Sequence, residues 1–321
     1  MTPLHAILHL RSPLGTPLAG DTLFGQLCHA CREIHGEARL DDLLTGYDGG
    51  QPWLVVSDGF PAGLLPRPTV PAALLATRNE AAENDAAKRK EAKSKRWIPH
   101  AAINLPLPQL LAAAAPDEAV YGKQGKPVQA DAFHNTLNRL TGTTGTGEFA
   151  PYTQPQIFHA LGQPIDLWLV LDETRFARDE LQTLLETIGN LGYGRDASIG
   201  LGKFEVNSLA DATLFQQTHP LANACWTLAP CAPQDQGFDA TRSYWRVQTR
   251  FGRHGGALAL GDNPFKRPLL LAATGAVLTP QSTQPLPLFT GNGLTGVSTA
   301  HEKTVHQGYA PVLPVYIEEF T

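Results

Sequence analysis

No apolar run in this sequence is long enough to cross a bilayer. The longest, around Pro268 to Leu278, is short and contains Thr274 and Gly275, so it reads as a buried strand. A secretory leader is missing too. No basic segment precedes the apolar start from Leu4 to Leu10, which His5 and His9 interrupt, and a cytoplasmic protein is expected. Four cysteines in 321 residues are too few for a disulfide framework, which fits a reducing compartment. Positive charge is not in surplus: 25 Lys and Arg stand against 30 Asp and Glu, a net charge of -5. That excludes a protein coated in cations, so any nucleic-acid site must be locally basic. No fixed-period repeat suggests a solenoid or propeller.

What is present describes a folded protein of about two domains, with 42% hydrophobic and 17% charged residues. Leu4, Ala6, Leu8 and Leu10 alternate with His5, Ile7 and His9, which predicts a first strand. Asp21 is a plausible N-cap for a helix whose Leu23, Phe24, Leu27, Cys28, Cys31 and Ile34 form one stripe ending at Gly36. A short strand over Trp53 to Val56 follows. Ile165 to Leu171 predicts another strand, Leu181, Leu184, Leu185 and Ile188 a helix stopping at Gly189, and Lys203 to Val206 a last strand. This order is the ferredoxin-like βαββαβ plan. The expected class is therefore α+β: a ferredoxin-like (RRM-like) domain over 1–210, carrying an inserted basic segment at about 78–150. A second domain over 211–321 is expected to be strand-rich, because convincing amphipathic helices are lacking there.

The sharpest local signal is the stretch from Gly189 to Lys203, with five glycines in fifteen residues. Gly192, Gly194, Gly200 and Gly202 permit positive φ and leave backbone N–H groups uncovered, so a phosphate can approach, while Arg195 and Lys203 supply charge and Ser198 a donor. Gly192, Gly194 and Ala197 formally match a dinucleotide fingerprint, but here a helix precedes the loop and a strand follows, the reverse of what that motif needs. It is not a Walker loop either, because Ala197 and Phe204 occupy the required Gly and Ser/Thr positions. A plain helix-to-strand connection is the alternative.

A second signal is the basic run containing Lys88, Arg89, Lys93, Lys95 and Arg96, followed by Trp97. Such a cluster neutralises phosphates without reading sequence, and Trp97 could stack a base; a solvated helix face balanced by Glu80, Glu83 and Asp85 explains it equally well. Cys28 and Cys31 are spaced as in a zinc site. Both nevertheless fall on the apolar stripe, and Cys225 and Cys231 supply no matching second pair, so no metal is expected. The eleven histidines occur singly, and no Gly-x-Ser-x-Gly elbow exists because Asp196 takes its first glycine position.

Three segments in order carry a resemblance: Gly20 to Cys28, His134 to Gly142 and Gly194 to Gly202, with Asn263 to Pro268 and Gly308 to Pro314 agreeing later. Together they resemble the RAMP superfamily of CRISPR proteins, most closely the fourth-subunit family of type III-A Csm complexes. The resemblance implies two ferredoxin-like units, no cofactor or metal, and a non-catalytic RNA-binding role. It further implies capture of the 5′ handle of the crRNA, beside the large polymerase-containing subunit and the first backbone RAMP subunit. Position by position, it assigns RNA contacts to Arg195, Ser198 and Lys203, to Asn135 and Arg139, and to Asp21 and Thr22, with helix capping an equal alternative for Asp21. Two other readings stay open: a RAMP endoribonuclease that matures guide precursors, and a nucleotide enzyme using the glycine loop.

Overall fold

We describe residues 1–71, 94–160, 162–217, 219–282 and 285–318 of a computed structural model. Strand β1 (Thr2–Leu10) alternates as its sequence dictates, with Leu4, Ala6, Leu8 and Leu10 buried and His5, Ile7 and His9 half-buried on the other face. Helix α1 (Gly20–His35) lays Leu23, Phe24, Leu27 and Cys31 on this core, and α2 (Glu37–Leu44) follows. The cap expected at Asp21 is corrected: Ala19 is the N-cap, Asp21 lies in the first turn, and the Gly20 amide donates to Asp58 Oδ1 at 2.8 Å. Strand β2 (Leu54–Pro61) runs on past the expected Val56.

The inserted region is built of small pieces. Strand β3 (Leu64–Pro66) pairs with β4 (Lys95–Pro99), which pairs with β5 (Ala115–Pro116). Helix α3 (Leu107–Ala112) precedes β5, and α4 (Asp117–Gly125), kinked at Gly122, follows it. Strands β6 (Val128–His134) and β7 (Tyr152–Phe158) form a separate hairpin. Lys95 and Arg96 therefore belong to a strand, not to a charged helical or mobile segment running from about Asn79 to Arg96, as the sequence leads one to expect. Trp97 packs on the core shared by Ile98, Leu107, Leu110 and Trp168.

Strand β8 (Pro164–Leu171), helix α5 (Arg178–Leu191) and strand β9 (Phe204–Asp211) complete an antiparallel sheet in the order β2-β8-β1-β9. Leu4 opposite Leu169 and Leu8 opposite Ile165 put the apolar rows on the helix side. Helix α5 passes the stop expected at Gly189, whose missing Cβ lets it lie against the Phe204 carbonyl and ring, and closes at Gly192.

Beyond Asp211 the described residues form strands and short 3-10 turns but no α-helix. Strands β10 (Ala224–Thr227), β11 (Val247–Arg250), β12 (Leu269–Ala272), β13 (Val277–Leu278), β14 (Phe289–Leu294) and β15 (His306–Val315) make a sheet ordered β13-β10-β15-β14 and a separate β11-β12 ribbon. Gln307, fully buried on β15, accepts the Val56 amide and donates to the Val56 carbonyl, both at 2.8 Å, which ties this half to β2. No helix of the described residues is long and apolar enough to cross a membrane.

Candidate nucleic-acid interface

The glycine-rich connection between α5 and β9 is zipped to the loop between β1 and α1. Tyr193 is buried; its hydroxyl donates to the Pro17 carbonyl at 2.8 Å and accepts the Ala19 amide at 3.0 Å. Burial pushes the phenol well above its ordinary range, so it stays a neutral donor. The amides of Gly192, Gly194, Gly200 and Gly202 go to Ile188 O, Gln26 Oε1, Ala197 O and Pro13 O, and that of Lys203 to Ser12 Oγ. This corrects the expectation of an uncovered amide cradle. At these four glycines the N–H groups already have protein acceptors, and Gly192 and Gly202 are buried. A Cβ on Gly202 would sit 2.0 Å from the Tyr193 carbonyl, so this glycine serves close backbone approach. Gly200 differs: φ is +98° and the space beside it is open.

What the loop offers to solvent is side chains. Ser198 and Lys203 are exposed, and Lys203 has no anionic partner among the described residues. Arg195 is exposed but engaged, donating to the Pro155 carbonyl on β7 with Nε 3.1 Å from Asp196 Oδ2. Leu14 and Ile157 exchange both backbone hydrogen bonds, so the root of the β6-β7 hairpin joins the same surface. Asn135 and Arg139 lie exposed in the connection between β6 and β7, where Asn138 holds the turn through its side chain and backbone. Apolar side chains accompany them; Leu140 is 97% exposed and Phe133 84%.

The other expected contacts divide. Lys88, Arg89 and Lys93 lie outside the described residues. Arg96 is exposed, stacks on Trp97 and pairs with Asp117 at 3.4 Å, while the Trp97 indole donates to the same carboxylate at 2.7 Å. Trp97 is thereby a packing residue rather than an open stacking platform. Thr22 is likewise corrected as an anion donor, because its Oγ1 accepts from Arg250 at 2.9 Å and sits beside Asp21. Arg250 grips Asp21 with both Nε, at 2.6 Å, and Nη2, and His306 Nε2 lies 3.2 Å from Asp21 Oδ2. Burial would raise the Asp21 pKa, but the hydrogen bonds of His306 and Arg250 outweigh it and hold this carboxyl well below the usual range. Sequence reasoning missed Arg250 and His306, which no local pattern connects to Asp21.

The cysteines and histidines are placed by packing. Cys31 lies in the core, and burial pushes the thiols of Cys225 and Cys231 up to about 12. His5 Nε2 lies 2.8 Å from Asp166 Oδ1 and its ring stacks on Trp168, while His100 approaches Oδ2 of the same carboxylate at 3.5 Å.

No protein-family profile matches this sequence, and no curated protein sequence matches it. Solved structures do. A chain of a Csm1-Csm4 cassette in complex with cA4 matches at TM-score 0.59 and 17% identity, over 99% of this chain and 100% of its own. A Csm1-Csm4 cassette in complex with AMPPNP gives TM-score 0.58 and 17% identity with the same coverage. A chain of the Csm3-Csm4 subcomplex in the type III-A CRISPR-Cas interference complex gives TM-score 0.58 and 11% identity, over 98% and 99%. The resemblance read from the sequence is thus borne out as fold: over nearly its whole length this chain is folded like a chain of the type III-A Csm assemblies.

Proposed function

We propose that this chain is the fourth, Csm4-type subunit of a type III-A Csm complex, cytoplasmic and non-catalytic, which holds the 5′ handle of the crRNA. In that position it links the large polymerase-containing subunit to the backbone RAMP subunits. The observation that carries the reading is the full-length match to chains of two different assemblies, Csm1-Csm4 and Csm3-Csm4, whose shared component is Csm4. The sheet order β2-β8-β1-β9 with α1 and α5 on one face supports a ferredoxin-like unit over about 1–210, and the β13-β10-β15-β14 sheet supports a degenerate second unit over 211–321. The exposed Ser198 and Lys203, beside the hairpin that carries Asn135 and Arg139, suit an RNA backbone.

The test is to incubate the purified chain with RNA bearing a repeat-derived 5′ end and to follow both binding and integrity. Binding with intact RNA is expected. Cut RNA would replace this reading with the endoribonuclease, and saturable mononucleotide binding without RNA binding would replace it with a nucleotide enzyme.

A further inference from the structure

The segment from residue 241 to 271 carries six Lys and Arg against a single acid, Asp262, in a chain whose net charge is -5. It folds back on itself as the β11-β12 ribbon, extended by the Tyr244–Val277 bridge at one end and the Arg253–Phe265 bridge at the other. Strand alternation sorts its side chains onto two faces. Arg250 and Leu271 face inward, Arg250 onto Asp21 of α1. The outer face displays Trp245, Val247, Phe251, Phe265 and Leu270; Phe251 is 75% exposed, Phe265 60% and Trp245 42%. Arg253 lies over the Phe265 ring at 5.6 Å, and Arg246 and Arg267 are exposed without anionic partners among the described residues.

Beside Trp245 the ribbon borders an open recess of about 410 Å³. Its walls include Phe238, Val247 and Leu270, and Gln234, Asp235 and Gln281 supply polar groups. An apolar recess with a few hydrogen-bonding groups suits an unstacked nucleobase, and exposed rings beside cations suit a single strand.

We propose that the outer face of the β11-β12 ribbon is a second single-stranded RNA site, with one base of the strand entering the Trp245 recess. The idea rests on the RNA-binding reading above and extends it to residues outside the glycine loop. Proximity supports it: the start of α1 touches the loop through the Ala19 amide and Tyr193, and the inner face of the ribbon through Asp21 and Arg250, so loop and ribbon both pack on one helix end. Charge complementarity favours RNA over a protein surface, because the exposed Arg246, Arg253 and Arg267 have no anionic partner among the described residues.

The experiment titrates the full chain with a labelled ten-nucleotide oligouridylate at several salt concentrations, comparing parent with Phe251→Ala, Phe265→Ala and Arg253→Gln/Arg267→Gln. Thermal melts exclude misfolding, and Trp245→Phe tests the recess while keeping its apolar wall. Each lost ring is expected to weaken binding about 10-fold. The double Arg variant should flatten the log-log salt slope by about 1.4, at 0.7 for each phosphate released. Quenching of tryptophan emission by RNA should largely vanish in Trp245→Phe. Unchanged affinity and slope in folded ribbon variants overturn the proposal even when a repeat-derived RNA still binds through the glycine loop. Variants that lose only a Csm1- or Csm3-type partner, with RNA affinity intact, overturn it in favour of a protein contact. A parent that binds no single strand overturns it together with the RNA-binding reading.

Discussion

Arg250 grips the carboxylate of Asp21 across 229 residues of sequence, joining the ribbon of the C-terminal half to the first turn of α1. Asp21 is almost wholly buried, and His306 stands on its other side. A charge so enclosed is tolerated only while its partners remain.

Arg250→Ala is therefore expected to destabilise the fold by about 3 kcal/mol, the usual result of leaving a buried charge unpaired. Urea unfolding of Arg250→Ala, Asp21→Asn and the double variant checks it. The double variant should lose less than the sum of the single losses, because removing both partners leaves no stranded charge.

A pH dependence of opposite signs is expected from two neighbouring carboxyls. Asp58 accepts from the Gly20 amide and the Thr274 hydroxyl, yet burial dominates and pushes its pKa up to about 6, from an ordinary 3.8. Between those values the folded chain holds a proton that the unfolded chain has released, so stability from this group falls as pH rises through the window. Asp21, held below its ordinary value, contributes stability above about pH 4 that is lost on further acidification. Asp58→Asn should thus gain on the parent by about 2 kcal/mol between pH 4 and 6, read from unfolding midpoints across that range. A constant difference would show that the Asp58 carboxyl titrates normally.

Two glycines of the same loop should respond differently to one added methyl group. Gly200→Ala meets open space and only the strain of a positive φ, about 1 kcal/mol. Gly202→Ala drives its Cβ into the Tyr193 backbone and should cost more than 3 kcal/mol or prevent folding. Melts of the two variants give the comparison.

Lys203→Ala is expected to leave stability unchanged and to lower the salt slope of handle-RNA binding by about 0.7, the loss of one phosphate on a single strand. Arg195→Ala should do the same but also cost about 1 kcal/mol, because its guanidinium holds the Pro155 carbonyl. Binding isotherms at several salt concentrations, paired with melts, separate the two effects. Equal binding by parent and both variants at every salt concentration would reduce the loop to a connection.

Strand β1, helices α1 and α5 and the glycine-rich connection were all legible in the residues, because period-two and period-3.6 apolar patterns declare which face each element buries. What the glycine amides bind was not legible. Their acceptors include Gln26 and Pro13, more than 160 residues away, and periodicity says which face turns inward but not what it meets there. The ribbon shows this most clearly. Trp245, Val247 and Phe251 alternate with Arg246, Gln248 and Arg250, and the alternation alone does not say which way the apolar row turns. The fold turns that row outward, because the opposite face carries the arginine that neutralises Asp21, and an unpaired buried carboxylate would cost more than exposed rings.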